Sequence, residues 1–204
     1  MNPVYWLGHR FFREFSRAFF DFKVVGCENL SLAGPALIAS NHVSYLDPPF
    51  IGAAFDEDIH FLARKSLMRF GWSNWLLNHW QCIPVDRDKP DPSTIKAIFR
   101  RLQEGKKVIV FPEGTRSLDG LLQPGEPGVG MMIAKSGVPV IPVRIFGAFE
   151  AMPRDKKLPQ PGRITVSVGK PWQYSPDQFP DAGKSLYRLI SNEVMRRIGE
   201  LPED

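Results

Sequence analysis

The sequence predicts an α/β fold: a single domain with a mixed sheet flanked by helices, preceded by an N-terminal amphipathic helix. Short apolar runs of strand length, bounded by turn residues, alternate with longer stretches that have the helical period. The first segment instead repeats aromatic residues at intervals of four, beside basic ones. The 204 residues are 43% hydrophobic and 24% charged, as in ordinary folded domains. We therefore expect the helix at 1–24 and the domain at 25–204, with its motif core at about 36–147.

The order of the predicted elements alternates after the first helix, as α/β folds require. Strands are predicted at 22–25, 36–40, 61–63, 83–85, 107–111, 138–146 and 164–168. Helices are predicted at 5–22, 48–54, 66–80, 92–104, 131–136 and 182–201. The helix at 92–104 has the clearest signals, with Asp91 as its cap and Gly105 as its end.

The first helix has an aromatic face and a basic face. Such a helix can lie in a lipid interface, with its aromatic side down and its arginines near headgroup phosphates. The alternative is a helix that packs on its own domain and uses the same stripe as core. The terminal position, the density of Phe and the flanking arginines favour the lipid interface. The predicted membrane-docking residues are Trp6, Phe11, Phe12, Phe15 and Phe19.

Composition limits the choice of partners. The formal net charge of +4 suits an anionic partner without naming one. No nucleic-acid-binding motif is recognisable, so we expect no nucleic acid. The two cysteines, Cys27 and Cys82, belong to no Cys/His cluster, so we expect no metal. No run of about 18 apolar residues occurs, so we predict no transmembrane helix, and no segment resembles a signal peptide.

His42 and Asp47 are the first candidates for chemistry. A His whose ring is held by a carboxylate is a general base that can take a proton from a hydroxyl. The pair is weak evidence alone, because Asp47 precedes Pro48 and could simply cap the next helix. On an unbroken helix the two residues would lie about 140° apart. Contact between them therefore requires a bend, which a strand-to-helix junction can supply.

A second candidate site follows the predicted strand at 107–111, where α/β folds place ligands. Gly114 allows backbone N–H groups to approach an anion, Thr115 adds a hydroxyl, and Arg116 adds a guanidinium suited to phosphate. Glu113 could orient Arg116 or hold an acceptor hydroxyl. Arg87, after another strand, could be a second phosphate ligand. An ordinary turn and solvated surface arginines are the alternatives.

Four blocks in this order resemble the glycerolipid acyltransferase family, best known from bacterial 1-acylglycerol-3-phosphate acyltransferases. They are NHVSYLD at 41–47, CIPVDR at 82–87, FPEGTRS at 111–117 and VPVIPV at 138–143, and the resemblance spans about 25–150. It implies an α/β acyltransferase fold and a catalytic His42/Asp47 pair. It also implies that Arg87, with 113–116, binds the acceptor phosphate. The family often has Gly near the second block, where this chain has Gln81 and Cys82.

The resemblance further implies an enzyme that moves a fatty-acyl group from acyl-CoA or acyl-carrier protein to the sn-2 hydroxyl of lysophosphatidic acid, giving phosphatidic acid. We expect no cofactor, and a peripheral location on the cytoplasmic face of the cell membrane. One alternative keeps the chemistry but uses another lysophospholipid or a lyso-aminolipid as acceptor. The other is a non-catalytic peripheral lipid-binding protein.

Overall fold

A computed structural model describes residues 3–85, 92–156, 158–180 and 182–204. Within these residues, helices cover both faces of a seven-stranded sheet. The strands are β1 Asp21–Val25, β2 Ala36–Ser40, β3 Ile59–Arg64, β4 Cys82–Val85, β5 Lys107–Val110, β6 Val140–Phe146 and β7 Arg163–Val168. The helices are α1 Pro3–Phe19, α2 Asp47–Ala54, α3 Gly71–His79, α4 Pro92–Gln103, α5 Pro127–Ser136, α6 Ala148–Ala151 and α7 Leu186–Gly199.

The sheet is mixed, as predicted. Its order is β1-β7-β6-β2-β5-β3-β4, and its neighbours are parallel except for the antiparallel pair β6 and β7. Strands β2 to β6 therefore point one way, and β7 and β1 point the other. The carboxyl ends of β2 and β5 lie side by side, which brings the loops that follow them together.

The central strand β2 is buried along its whole length. Ile38 joins an apolar cluster on the face covered by α1 and α2, and Leu37 joins a second cluster under α4, α5 and α7. This alternation is the period of two expected of a strand between two helical layers. Because both faces are packed, the residues that follow β2 begin from a fixed position.

Several predicted boundaries differ from the structure, and the two that matter most concern α1 and the helix predicted at 66–80. Helix α1 ends at Phe19, because Asp21 already pairs with Arg163 of β7, so the expected boundary at 24 falls inside β1. The predicted helix at 66–80 is instead a short 3-10 turn, Lys65–Met68, followed by α3. Phe70 separates the two, because its backbone is extended, with φ −96° and ψ 143°. Asp91, the predicted cap of α4, lies outside the described residues.

Helix α1 is docked on the domain through one stripe of side chains. The Tyr5 hydroxyl accepts a hydrogen bond from the Ile59 N–H at 3.1 Å, and Phe12 meets the Phe50 ring edge-on with centroids 5.4 Å apart. Phe12 therefore packs against the core and is not part of the outer surface.

In the stripe at intervals of four, Leu7 and Phe11 are 65% and 71% exposed, whereas Phe15 and Phe19 are each 37% exposed and meet the buried Phe20 ring. The alternative, in which this same stripe forms the core contact, therefore holds in part for its last two residues and not for its first two.

In the described part of the chain, every helix is too short or too polar to cross a membrane.

Candidate active site

The loop after β2 is fixed by the side chain of Asn41. Its Nδ2 donates to the Ile145 carbonyl at 3.1 Å, and its Oδ1 accepts from the Ile145 N–H at 2.8 Å. The amide side chain thus pairs with the backbone of β6 as a further strand residue would. Because Asn41 is anchored, the next residue, His42, is held at the carboxyl edge of the sheet.

His42 and Asp47 are in direct contact, which confirms the expected bend between them. The His42 Nδ1–H donates to Oδ2 of Asp47 at 2.7 Å. The same oxygen accepts the backbone N–H groups of Val43 and Ser44 at 2.7 and 2.8 Å. Leu46, not Asp47, occupies the N-cap position of α2, so the carboxylate orders the loop in front of the helix. With Nδ1 engaged, Nε2 is the ring nitrogen left for a substrate.

Both members of the pair are shielded from water. His42 is 5% exposed and Asp47 is fully buried. Burial raises the pKa of Asp47, and the hydrogen bonds from His42, Ser44 and Val43 oppose that rise. The imidazole also stacks on the Phe111 ring, with centroids 3.9 Å apart and planes 16° apart. The ring is therefore held at its edge by a carboxylate and on one face by an aromatic side chain.

The loop after β5 is joined to the first loop at His42. The His42 N–H donates to Oε1 of Glu113 at 3.0 Å, and the His42 carbonyl accepts the Ser117 N–H at 2.8 Å. Gly114 has a φ of +69°, a conformation that side chains disfavour, and it allows the sharp turn after Glu113. Two segments far apart in sequence therefore form one rigid unit around the histidine.

Glu113 is buried, with 4% of its surface exposed. Burial, and to a lesser extent the nearby charge of Asp47, raises the pKa of Glu113 to about 7. Its second oxygen, Oε2, has no hydrogen-bond partner within the described ranges. The nearby backbone N–H groups of His42 and Gln123 oppose this rise in pKa. Glu113 thus places a buried carboxyl directly beside His42.

Arg116 is also buried, at 6% exposure. Its guanidinium carbon lies 3.4 Å from the centre of the Tyr45 ring, and its Nη1 finds no partner in the part of the chain described. A buried cation without an anion is unfavourable, so this arrangement favours an anionic ligand. Thr115 and Gly114 lie exposed at the rim beside it. Arg87 lies outside the described residues, so its predicted role stays a prediction.

The sequence did not indicate four residues that build the site. Asn41, Ser44, Tyr45 and Phe111 lie within the quoted blocks, yet none was assigned a role. Ser44 donates through its hydroxyl to the Met152 carbonyl at 2.8 Å and so ties the loop to the end of α6. One feature of the sequence could have indicated these residues: a fully apolar strand is followed directly by polar residues. Polar residues on a loop that a rigid strand positions are often functional.

An apolar cavity of about 180 Å³ lies behind the histidine loop. It is bounded by α1, α2, β3 and α3, and Pro48 and Pro49, which directly follow Asp47, contribute to its wall. Its other lining residues include Phe12, Gly52, Ala53, Phe61, Leu77, Trp80 and Ile109. A wall of this chemistry suits a hydrocarbon chain.

A buried histidine held by a carboxylate, in joined loops that also carry a buried guanidinium whose Nη1 has no partner among the described residues, is an arrangement suited to transferring a group to a hydroxyl of an anionic substrate. A family model described as acyltransferase matches residues 21–146, and the chain belongs to this acyltransferase family. The match contains all four blocks, together with the sheet strands β1 to β6.

Named relatives agree with this membership. The 1-acyl-sn-glycerol-3-phosphate acyltransferase of Bacillus subtilis is 30% identical over 180 residues, which cover 88% of this chain and 87% of that protein. The chloroplastic enzyme of the same name from Brassica napus is 30% identical over 157 residues, which cover 75% of this chain and 45% of that protein. The crystal structure of the 1-acyl-sn-glycerophosphate acyltransferase of Thermotoga maritima superposes with a TM-score of 0.75 at 26% identity, covering 94% of this chain and 78% of that one.

Proposed function

We propose that this protein transfers a fatty-acyl group from a thioester to the sn-2 hydroxyl of lysophosphatidic acid, giving phosphatidic acid. The observation that carries the proposal is the buried His42–Asp47 pair beside the guanidinium of Arg116, whose Nη1 is unpaired within the described residues. The names of the relatives above support the choice of lysophosphatidic acid as acceptor. In this proposal the base for the acceptor hydroxyl, His42, and the cation for its phosphate, Arg116, belong to two loops that hydrogen bonds join.

In the proposed mechanism, Nε2 of His42 takes the proton of the acceptor hydroxyl while Asp47 holds the ring and stabilises the imidazolium. The acceptor oxygen attacks the thioester carbonyl, forming a C–O bond, and the C–S bond then breaks. The departing thiolate takes the proton back from His42. The thioester is already activated, so neither a protein nucleophile nor a cofactor is required.

The phosphate of the acceptor is assigned to Arg116, whose Nη1 would gain an acceptor there. Oε2 of Glu113 would accept a hydrogen bond from a second hydroxyl of the glycerol backbone. Thr115 and Gly114, at the rim, would contribute a hydroxyl and a backbone N–H, and Arg87 a second cation. Tyr45 would hold the guanidinium plane against its ring.

The acyl chain of the donor is assigned to the apolar cavity, which starts at the residues that follow Asp47. Acyl-CoA and acyl-carrier protein carry the same thioester and both fit this role. The outward aromatic residues of α1, which include Trp6, Phe11, Phe15 and Phe19, would rest in a lipid interface. Phe12 is not among them, because it packs on the core. A location on the cytoplasmic face of the cell membrane stays a prediction.

The test is thiol release from oleoyl-CoA by the purified protein in mixed micelles, with and without lysophosphatidic acid. We expect acceptor-dependent release by the native protein, and a loss of about 10²- to 10⁴-fold in His42→Ala. Arg116→Ala should raise the KM for the acceptor more than it lowers kcat, because it removes a binding contact. Thermal unfolding checks that each variant is folded. Full activity of His42→Ala would overturn the mechanism.

Two other candidates remain as outcomes of the same assay. Release with lysophosphatidylcholine or a lyso-aminolipid, but not with lysophosphatidic acid, would keep the chemistry and change the acceptor. Acyl-carrier-protein donors are tested in parallel. No release with any donor and acceptor would favour a lipid-binding protein without catalytic activity.

A further inference from the structure

A second aromatic surface lies away from the catalytic pair, on the segment 67–75, which we call the tryptophan segment. Its large side chains are more than half exposed: Leu67 55%, Phe70 63%, Trp72 72% and Trp75 54%. Patches of this kind on a folded domain mark contact surfaces, because such residues are usually buried. None of these four side chains lines the cavity behind the histidine loop.

The fold does not need these side chains for its own packing. Helix α3 turns Leu77 and Trp80 toward the cavity and buries Ser73 against Phe70, whose carbonyl accepts the Ser73 hydroxyl at 3.0 Å. Trp72 and Trp75 project from the other side of the helix. The helix thus has one face for the domain and one face on which Trp72 and Trp75 remain exposed.

Within residues 63–85, which contain the tryptophan segment, every charged side chain is basic, and the first acidic residue after them is Asp86. Arg64, Lys65 and Arg69 are exposed. Tryptophans together with basic residues are typical of the interface between water and a membrane, where the indole rings lie at headgroup level. A surface of this composition complements anionic lipid.

The tryptophan segment continues the aromatic side of α1. The two helices touch, because a Cβ added at Gly8 of α1 would lie 2.9 Å from the Trp80 indole nitrogen. Successive residues of a helix are turned by about 100° around its axis. Measured around the axis of α1 from Gly8, the side chains of Phe15, Phe11 and Leu7 lie on one side, at most about 100° away. Arg13 and Arg17 lie about 140° and 180° from it, and Arg13 pairs with Asp56 on that other flank. The aromatic flank of α1 is therefore the flank next to α3.

Both surfaces also meet the catalytic edge of the sheet. The tryptophan segment follows the carboxyl end of β3, which is parallel to the neighbouring β5 and to β2 beyond it. Strand β1 runs the opposite way, so its first residue, Asp21, and with it the end of α1, lie at this same edge. An acceptor hydroxyl at His42 would thus lie close to a lipid layer that contacts both the tryptophan segment and the aromatic side of α1.

We infer that the tryptophan segment is a second lipid-contacting surface, which together with α1 seats the protein on an anionic bilayer. Arg64 and Arg69 contact headgroup phosphates, and the four apolar side chains enter the interface. The inference does not rest on catalysis: it concerns a surface that would bind lipid whether or not acyl transfer occurs.

The experiment measures partition of the full chain onto vesicles of equal parts phosphatidylcholine and phosphatidylglycerol, without any acyl donor. We expect the double variant Trp72→Ala/Trp75→Ala to lower the partition coefficient about tenfold or more. Leu189→Ala is the matched control, because Leu189 is an exposed apolar residue on α7, on the opposite face of the sheet. It should bind as the native protein does.

Two further measurements keep the inference testable if the double variant is unstable. Arg64→Gln/Arg69→Gln should weaken binding to the mixed vesicles and leave the weaker binding to pure phosphatidylcholine unchanged. In vesicles with brominated acyl chains, tryptophan emission should be quenched, and Trp72→Phe/Trp75→Phe should reduce that quenching to the part due to Trp6 while keeping binding.

Equal partition of the double variant and the native protein would overturn the inference. So would a double variant that binds vesicles normally but loses concentration-dependent self-association in sedimentation velocity, since the surface would then be an interface between copies. Loss of vesicle binding in a protein that releases no thiol with any donor would uphold this inference and refute the proposed function. The two proposals can therefore fail separately.

Discussion

The guanidinium carbon of Arg116 lies over the ring of Tyr45, 3.4 Å from its centre, although the two residues belong to loops that follow different strands. The ring fixes the plane of the guanidinium, and a fixed plane is what bidentate binding of phosphate requires. Tyr45 is 56% exposed, so the domain does not need it for core packing. Its position is explained by the arginine.

We expect Tyr45→Ala to raise the KM for the lysophospholipid acceptor about two- to tenfold and to change kcat less. Tyr45→Phe should restore the native KM, because a phenyl ring stacks on a guanidinium as well. Steady-state kinetics with varied acceptor and saturating oleoyl-CoA measure both. A Phe variant as weak as the Ala variant would assign the effect to the hydroxyl and contradict the stacking role.

Asp47→Asn should lose both turnover and stability. One carboxylate oxygen of Asp47 accepts three hydrogen bonds at 2.7–2.8 Å. If the amide NH₂ of asparagine takes that position, a donor faces these donors and the hydrogen bonds are lost. We expect kcat to fall about 10²- to 10⁴-fold. The free energy of unfolding should fall by about 1–3 kcal/mol. Denaturant titration and thiol release measure the two effects.

The control for this variant is Asp177→Asn, which makes the same chemical change at an exposed site. It should leave both quantities unchanged. A fully active Asp47→Asn protein would show that the carboxylate only stabilises the loop conformation and is not needed to hold the His42 imidazole for catalysis.

Glu113→Gln should change how stability depends on pH. Burial raises the pKa of Glu113 from 4.5 to about 7, so the folded protein holds a proton that the unfolded chain releases. The stability that comes from this proton is present in full below pH 4.5 and is lost as the pH rises through about 7. A glutamine side chain cannot ionise, so the variant should become more stable relative to the native protein by up to about 3 kcal/mol above that pH.

Urea titrations of both proteins at several pH values measure this difference. The glutamine amide keeps an oxygen that accepts the His42 N–H, so the loop contact remains. A difference that does not change with pH would mean that Glu113 is already ionised across this range.

Gly52→Leu should shorten the acyl chains that the enzyme uses. Gly52 lines the apolar cavity, and a Cβ built there meets no atom within 4 Å, so a larger side chain has room to enter. We expect kcat/KM to fall for oleoyl-CoA, relative to decanoyl-CoA, by about tenfold or more. Gly162→Leu is the control, because Gly162 also has open space but lies away from the cavity. An unchanged chain-length profile would place the acyl chain elsewhere.

The sequence predicted the strands well because each is a short apolar run, and a run buried on both faces is hard to mistake for a surface segment. Helix α5 was predicted too short, at 131–136. It begins at Pro127, and the Gly and Pro residues that suggested a loop are the ones tolerated in a first helical turn. The break between the 3-10 turn and α3 was missed although Gly71 directly follows Phe70, because a single glycine inside a helical pattern is often tolerated.

The candidate site was predictable in its parts but not in its assembly. The His42–Asp47 contact followed from a bend that a strand-to-helix junction supplies. The joining of His42 to Glu113 and Ser117 depends on β2 and β5 being neighbours, and strand order leaves no local signature in the chain. Gln81 has a φ of +61° where the family often has glycine, a strain visible only in the folded backbone.

The pairing of β1 with β7 has a consequence for synthesis. Asn29, just after β1, donates to the Val168 carbonyl at the end of β7, 139 positions later in the chain. Strand β1 is the edge of the sheet and its neighbour is β7, so it leaves the ribosome long before its partner. Helix α1 does not depend on β7 in the same way, because it docks on Phe50 and Ile59, which are synthesised much earlier. A nascent chain stalled before β7 would therefore present one unpaired strand edge, a feature that promotes aggregation and chaperone binding.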